Sequence, residues 1–195
     1  MDTWLSWKHR RSELSRSIPL SQKIDIFYER LCGWQLHIAD QFVNGSSEQK
    51  MIPHAAFAAL QVCLSYFETI GKYEAGYCHD DQSRHHFGLG LKSVFPHLRR
   101  VPSQRFNRVS KLLYQAARCG LYHASQTGPG VLLRRQQHVL RFNAHRGWIH
   151  VDPHRLPIAL KKHLSVYRAR LERSRNKKVQ RQFENRFNHD NPGLA

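Results

Sequence analysis

Between Phe106 and Ala117 the apolar residues Phe106, Val109, Leu112, Leu113, Ala116 and Ala117 recur every three or four positions, drawing one apolar face on a helix. Ser103, after Pro102, is placed to cap its start, and Gly120 is where its regular turns are expected to weaken or end. Upstream, Ile24, Phe27, Leu31, Trp34, Ile38 and Phe42 predict the buried stripe of a helix that opens at Pro19 and Ser21 and stops at Asn44-Gly45-Ser46-Ser47. A second helix starts at Pro53, is apolar nearly all round from Ala55 to Phe67, and closes at Gly76, which makes it the expected centre of the core. Asp80-Asp81-Gln82-Ser83 then cap a shorter helix with Phe87, Leu91, Val94 and Phe95 inward, stopped by Pro96. After His123 the period changes. Val131-Leu132-Leu133, His138–Phe142 and Trp148–Val151 read as short strands, with turns at 127–130 and 143–147, so a small antiparallel sheet of two or three strands is expected. A last helix follows Asp152-Pro153, with Leu156, Leu160, Leu164, Tyr167 and Leu171 as its stripe and a densely basic outer face.

This pattern divides the chain into a basic N-terminal arm, residues 1–18, anchored by Trp4, Leu5 and Trp7, and a single mainly helical domain, residues 19–174, with its sheet at about 130–152. A basic C-terminal tail, residues 175–195, carries too few apolar groups to pack well and is expected to fray. A chain of 195 residues with 41% hydrophobic content is enough for one core. No apolar run approaches the ~18 residues of a membrane span, and the apolar part of MDTWLSWKHRR is too short for a signal peptide. A soluble, cytoplasmic protein is therefore expected. Cys32 and Cys63 fall inside apolar helical patterns as small core residues. Cys78-His79 with His85-His86 matches no zinc-ligand spacing, so neither a metal nor a cofactor is expected.

Charge changes the picture. The net charge is +17, and its distribution is one-sided: residues 1–98 hold 10 basic and 10 acidic residues, residues 99–195 hold 21 and 4. An excess of this size concentrates polyanions, and RNA is the expected partner. The candidate contacts are Lys111, Arg134, Arg135, Lys161, Lys162, Arg168 and Arg170. Arg118 and His123 lie in the same half. Five residues apart in a continuous helix, they would sit about 140° from one another, whereas a break at Gly120 would bring them to one pole. A permanent cation beside a group that titrates near neutrality suits phosphate chemistry. The plainer alternative is an arginine snorkelling from a helix end and a histidine satisfied by backbone. Glu68 and Lys72, four residues apart on the central helix, read as an ordinary surface ion pair or as groups that support the site.

An up-and-down helical core with Arg-x4-His at the end of its third or fourth helix resembles the HEPN superfamily. The stretches SYFETIGKYEAG, HHFGLGLKSVFP and LYQAARCGLYHASQTG are similar to bacterial proteins of that group. The resemblance covers residues 20 to 172, with the small sheet inserted after the motif helix. It implies a metal-independent ribonuclease, of the kind found in toxin and phage-defence systems, with an antitoxin or other partner protein. It also implies a homodimer whose two Arg-His pairs form one composite site. Arg118 would stabilise charge on the scissile phosphate, and His123 would transfer a proton as the ribose 2′-hydroxyl attacks, giving a cyclic phosphate and a 5′-hydroxyl. The chain departs from the pattern at Cys119, where active members carry a small polar residue. Two other classes stay open: a non-catalytic RNA- or nucleotide-binding protein, and a structural protein whose Arg118 and His123 only stabilise the turn at Gly120.

Overall fold

A computed structural model of the chain describes residues 4–15, 17–45, 54–76, 81–120, 127–143, 146–173 and 175–194. The described residues are mainly helical: α1 (Leu20–Leu31), α2 (Ile38–Asn44), α3 (Ala56–Ala75), α4 (Ser83–Val94), α5 (Ser103–Leu112), α6 (Arg155–Glu172) and α7 (Lys177–Asp190). Three short strands, β1 (Val131–Leu133), β2 (Leu140–Asn143) and β3 (Trp148–Val151), stand between α5 and α6.

The first helix holds a correction. α1 passes into α2 without a break through Cys32–His37, which winds as a π-helix. The regular period would carry the buried stripe on through Trp34 and Ile38. Instead Leu36, Ala39 and Val43 are buried, and Trp34 and Ile38 stay 41% and 37% exposed. In a π turn the hydrogen bonds run from i to i+5, so one added residue rephases everything downstream. Gly33 lies in this segment with the Trp7 indole against it, 2.8 Å from where a Cβ would stand. Trp7 also donates its indole N–H to Glu29, which docks the N-terminal arm.

α3 is the centre of the core, with Leu60, Cys63, Leu64, Tyr66, Phe67, Ile70 and Tyr73 all buried. α4 meets it backbone to backbone. A Cβ on Gly71 would stand 1.9 Å from the His86 carbonyl oxygen, and one on Gly90 would stand 1.8 Å from that of Phe67. Only hydrogen at both positions permits this approach. The two ends of α4 are tied to opposite flanks of α3: Ser83 donates to Glu68 at 2.8 Å, and Ser93 donates to Glu74 at 2.8 Å.

The C-terminal segment does not behave as a loose tail. α7 buries Phe183 and Phe187, whose i, i+4 spacing puts both rings on one face. Phe183 packs on Phe27 of α1 and Tyr73 of α3 at ring centroid distances of 5.3 and 5.4 Å. Two aromatic rings in register compensate for the low apolar count of the stretch.

The sheet is mixed, not antiparallel. Its order is β1-β3-β2, with β2 antiparallel and β1 parallel to β3. β3 is central because its Ile149 and Val151 are the buried pair. The chain leaving β1 is held at the end of β3, where the Arg134 N–H donates to the Val151 carbonyl and the Gln136 N–H to the Asp152 carboxylate. It therefore returns along the far edge. Asp152, buried, also accepts the N–H groups of His154 and Arg155 and so caps α6.

Candidate functional site

The arginine of the motif lies on a second π-helical segment, Leu113–Cys119, which continues α5. Gly120 does not break the helix as expected: its φ of −59° and ψ of −47° are right-handed helical, and the irregular winding comes just before it. Because i and i+5 align in such a turn, Arg118 is carried toward the side of core-facing Leu113, and its side chain turns to α3. There Arg118 Nη2 lies 3.2 Å from Glu68 Oε2. The other carboxylate oxygen of Glu68 takes Lys72 Nζ at 3.1 Å and the Ser83 hydroxyl at 2.8 Å. Glu68 and Lys72 are thus no ordinary surface pair, since Glu68 is only 9% exposed and bridges two cations. Burial opposes its ionisation, but the Ser83 and Lys72 hydrogen bonds and the charges of Lys72 and Arg118 outweigh it, holding the carboxyl below its usual range. The Arg118 guanidinium also stands 5.9 Å from the Tyr114 ring centroid, one turn back.

Glu68, Lys72 and Arg118 line a cavity of about 190 Å³ that α7 completes with Arg186 and Asp190, themselves paired at 2.7 Å. Three cations and two carboxylates face this space, enough room and positive surplus for a phosphate group. The sparse apolar pattern of residues 175–195 gives no sign that Arg186 and Asp190 reach a site. Their i, i+4 spacing was the available signal. His123 lies outside the described residues. Cys119 is a half-buried free thiol.

The basic candidates separate into two groups. On α6, Lys161 pairs with Asp40 and Arg168 with Asp25 and Glu172, while Arg170 pairs with Glu74. These charges fasten α6 to neighbouring helices, so much of the basic outer face is internally balanced. Lys111, Arg134, Arg135 and Lys162 remain exposed, Arg135 reaching within 3.4 Å of His154.

The opposite flank of α3 carries a second polar cluster around His163 of α6. Its Nδ1 is 2.8 Å from the Tyr66 hydroxyl and its Nε2 2.9 Å from Ser93 Oγ. Ser93 spends its proton on Glu74, which also receives Arg170. The imidazole is therefore neutral, accepting from Tyr66 and donating to Ser93. Burial first, and Arg170 second, lower its pKa to about 4. With its donor committed in this way Ser93 is no activated nucleophile.

Compared with family models, curated proteins and solved structures, the chain matches none. Among the described residues no cluster of three or more His, Cys, Asp or Glu side chains could hold a metal ion, and no helix is long and apolar enough to cross a membrane. Cys78 and His79 lie outside the described residues.

Proposed function

We propose that the chain is an RNA endonuclease of the HEPN type, in which Arg118 receives the scissile phosphate and His123 moves the proton. The observation that carries this reading is the clamp on Arg118. A snorkelling arginine needs no carboxylate. Burying one costs several kcal/mol unless it is paired and hydrogen-bonded, and Glu68 is satisfied by Lys72, Ser83 and Arg118 together. The result holds the guanidinium against Glu68 on the wall of a cavity with two further cations. In the reaction the ribose 2′-oxygen attacks the adjacent phosphorus, losing its proton to a base. The phosphorus–O5′ bond breaks, and the departing oxygen takes a proton. Arg118 neutralises charge building on the phosphoryl oxygens, and His123 serves the proton transfers. The site is composite, with a second copy of the chain supplying a second Arg118-His123 pair, and no metal takes part.

The test is cleavage of labelled RNA in EDTA. His123→Ala should lose roughly two to four orders of magnitude in rate with little change in affinity, and Arg118→Ala should lose both. Wild type leaving a broad panel of RNAs intact, or His123→Ala cutting at full rate, overturns the proposal. A second reading, binding of RNA or a nucleotide without cleavage, is favoured by Cys119, since a thiol orients neighbouring groups less firmly than an amide or carboxylate. It expects binding that depends on Arg118 and no cut product.

A further inference from the structure

Away from the Arg118 cavity, α4 and α5 border an open groove of about 660 Å³. Four cations line it, Arg84 and Lys92 from α4 with Arg108 and Lys111 from α5, and His85 joins them. No carboxylate lines it among the described residues. Arg84, Arg108 and Lys111 are exposed, while Lys92 lies over the Phe106 ring, 4.1 Å from its centroid. The groove draws two of its charges from the half of the chain whose formal balance is zero.

We propose that this groove binds the sugar–phosphate backbone of single-stranded nucleic acid and leads that strand to the Arg118 cavity. Two features of the geometry select the ligand. Arg84 and Lys92 stand eight residues apart on one helix, about 12 Å along its axis. One small anion cannot reach both, whereas a chain of phosphates can. The axes of neighbouring packed helices lie about 8–10 Å apart, so the groove between them takes one strand and excludes the width of a duplex. A third feature gives the direction. Along α5, Lys111 is followed one turn later by Tyr114 and one further turn by Arg118. Along α4, Arg84 follows Ser83, whose hydroxyl holds Glu68. The Arg84–Lys111 end of the groove therefore adjoins the clamp on Arg118. The destination of the strand rests on the nuclease reading above; its binding does not.

The experiment separates the two. Affinity is measured for a labelled oligonucleotide of 2′-deoxy backbone, which presents the phosphates but no attacking hydroxyl, across a series of salt concentrations. The variant is Arg84→Gln/Arg108→Gln/Lys111→Gln, with Lys92 left in place on Phe106, and its fold is checked by circular dichroism. Single-strand affinity should fall at least about tenfold, and the log–log salt slope should flatten by about 2, since each lost phosphate contact on a single strand carries about 0.7. Wild-type affinity in the triple variant overturns the groove. So does equal competition by duplex, by pyrophosphate or by vesicles of anionic lipid. If RNA is never cut but the triple variant loses binding, the groove stands and the nuclease reading fails. If RNA is cut in a His123-dependent way and the triple variant keeps wild-type KM, the reverse holds.

Discussion

His163 makes the stability of this fold depend on pH in a defined window. The folded chain holds the imidazole neutral down to about pH 4, because protonation would place a second positive charge near Arg170 and leave Tyr66 facing a donor. The unfolded chain takes up that proton near the ordinary value of 6.5. Between these values the unfolded state binds more protons, so folding weakens as pH falls from 6.5, and the loss levels off below 4. At 1.36 kcal/mol per pKa unit the cost reaches about 3 kcal/mol by pH 4. For a chain of this size that is a fall in Tm of roughly 6–12 °C. Glu68, whose pKa is lowered, contributes with the same sign but only below its ordinary value of 4.5. The interval from pH 6.5 to 4.5 is thus free of it, while His86, whose pKa is also lowered by burial, acts within that interval. The comparison that isolates His163 is therefore with His163→Gln, which keeps a donor and an acceptor but does not titrate. Urea unfolding at half-unit steps of pH should give a wild-type curve that drops steeply through the window and a variant curve that drops less. Parallel curves would refute the argument, whatever their vertical offset.

Glu68→Gln leaves Arg118 and Lys72 without their shared counter-charge and should cost about 2 kcal/mol, below the 3–5 of a fully buried pair because Arg118 keeps contact with water; urea titration at pH 7 checks it. Phe183→Ala should destabilise by about 3–5 kcal/mol, since its ring is fully buried against Phe27 and Tyr73. A change within 0.5 kcal/mol would mean that α7 is dispensable. Gly90→Ala drives a methyl into the Phe67 carbonyl and should cost at least about 3 kcal/mol, read as lost soluble yield or a lowered Tm.

The helices were legible because their apolar stripes are long and periodic, and α3 was recognisable as the centre from its nearly continuous apolar surface. What the pattern concealed has local causes. A period of 3.6 cannot anticipate the π winding at Cys32–His37, so it points Trp34 and Ile38 into the core where Leu36 is in fact buried. Counting apolar residues undervalued α7, where Phe183 and Phe187 act as a pair on one face. At the site, Arg118, Glu68 and Lys72 were all candidates, but the ion pair that joins them is a tertiary contact between residues 50 positions apart. Formal charge by halves locates an excess without showing that carboxylates of α1, α2 and α3 balance most of the cations of α6, or that Arg84 and Lys92 line one groove with Arg108 and Lys111.

The winding at Leu113–Cys119 also makes the aim of Arg118 a matter of residue count as well as of chemistry. A π turn is an α turn with one residue to spare. Removing exposed Gln115 would let the segment relax to ordinary winding, with Leu113 still seated in the core. Arg118 would then stand four residues from Leu113 instead of five, on the same side, and would keep Glu68. The same deletion in the regular turns of α5, where no residue is spare, would swing every side chain beyond it by about 100°. The π turn therefore works as a buffer for chain length, able to give up one residue without turning the site.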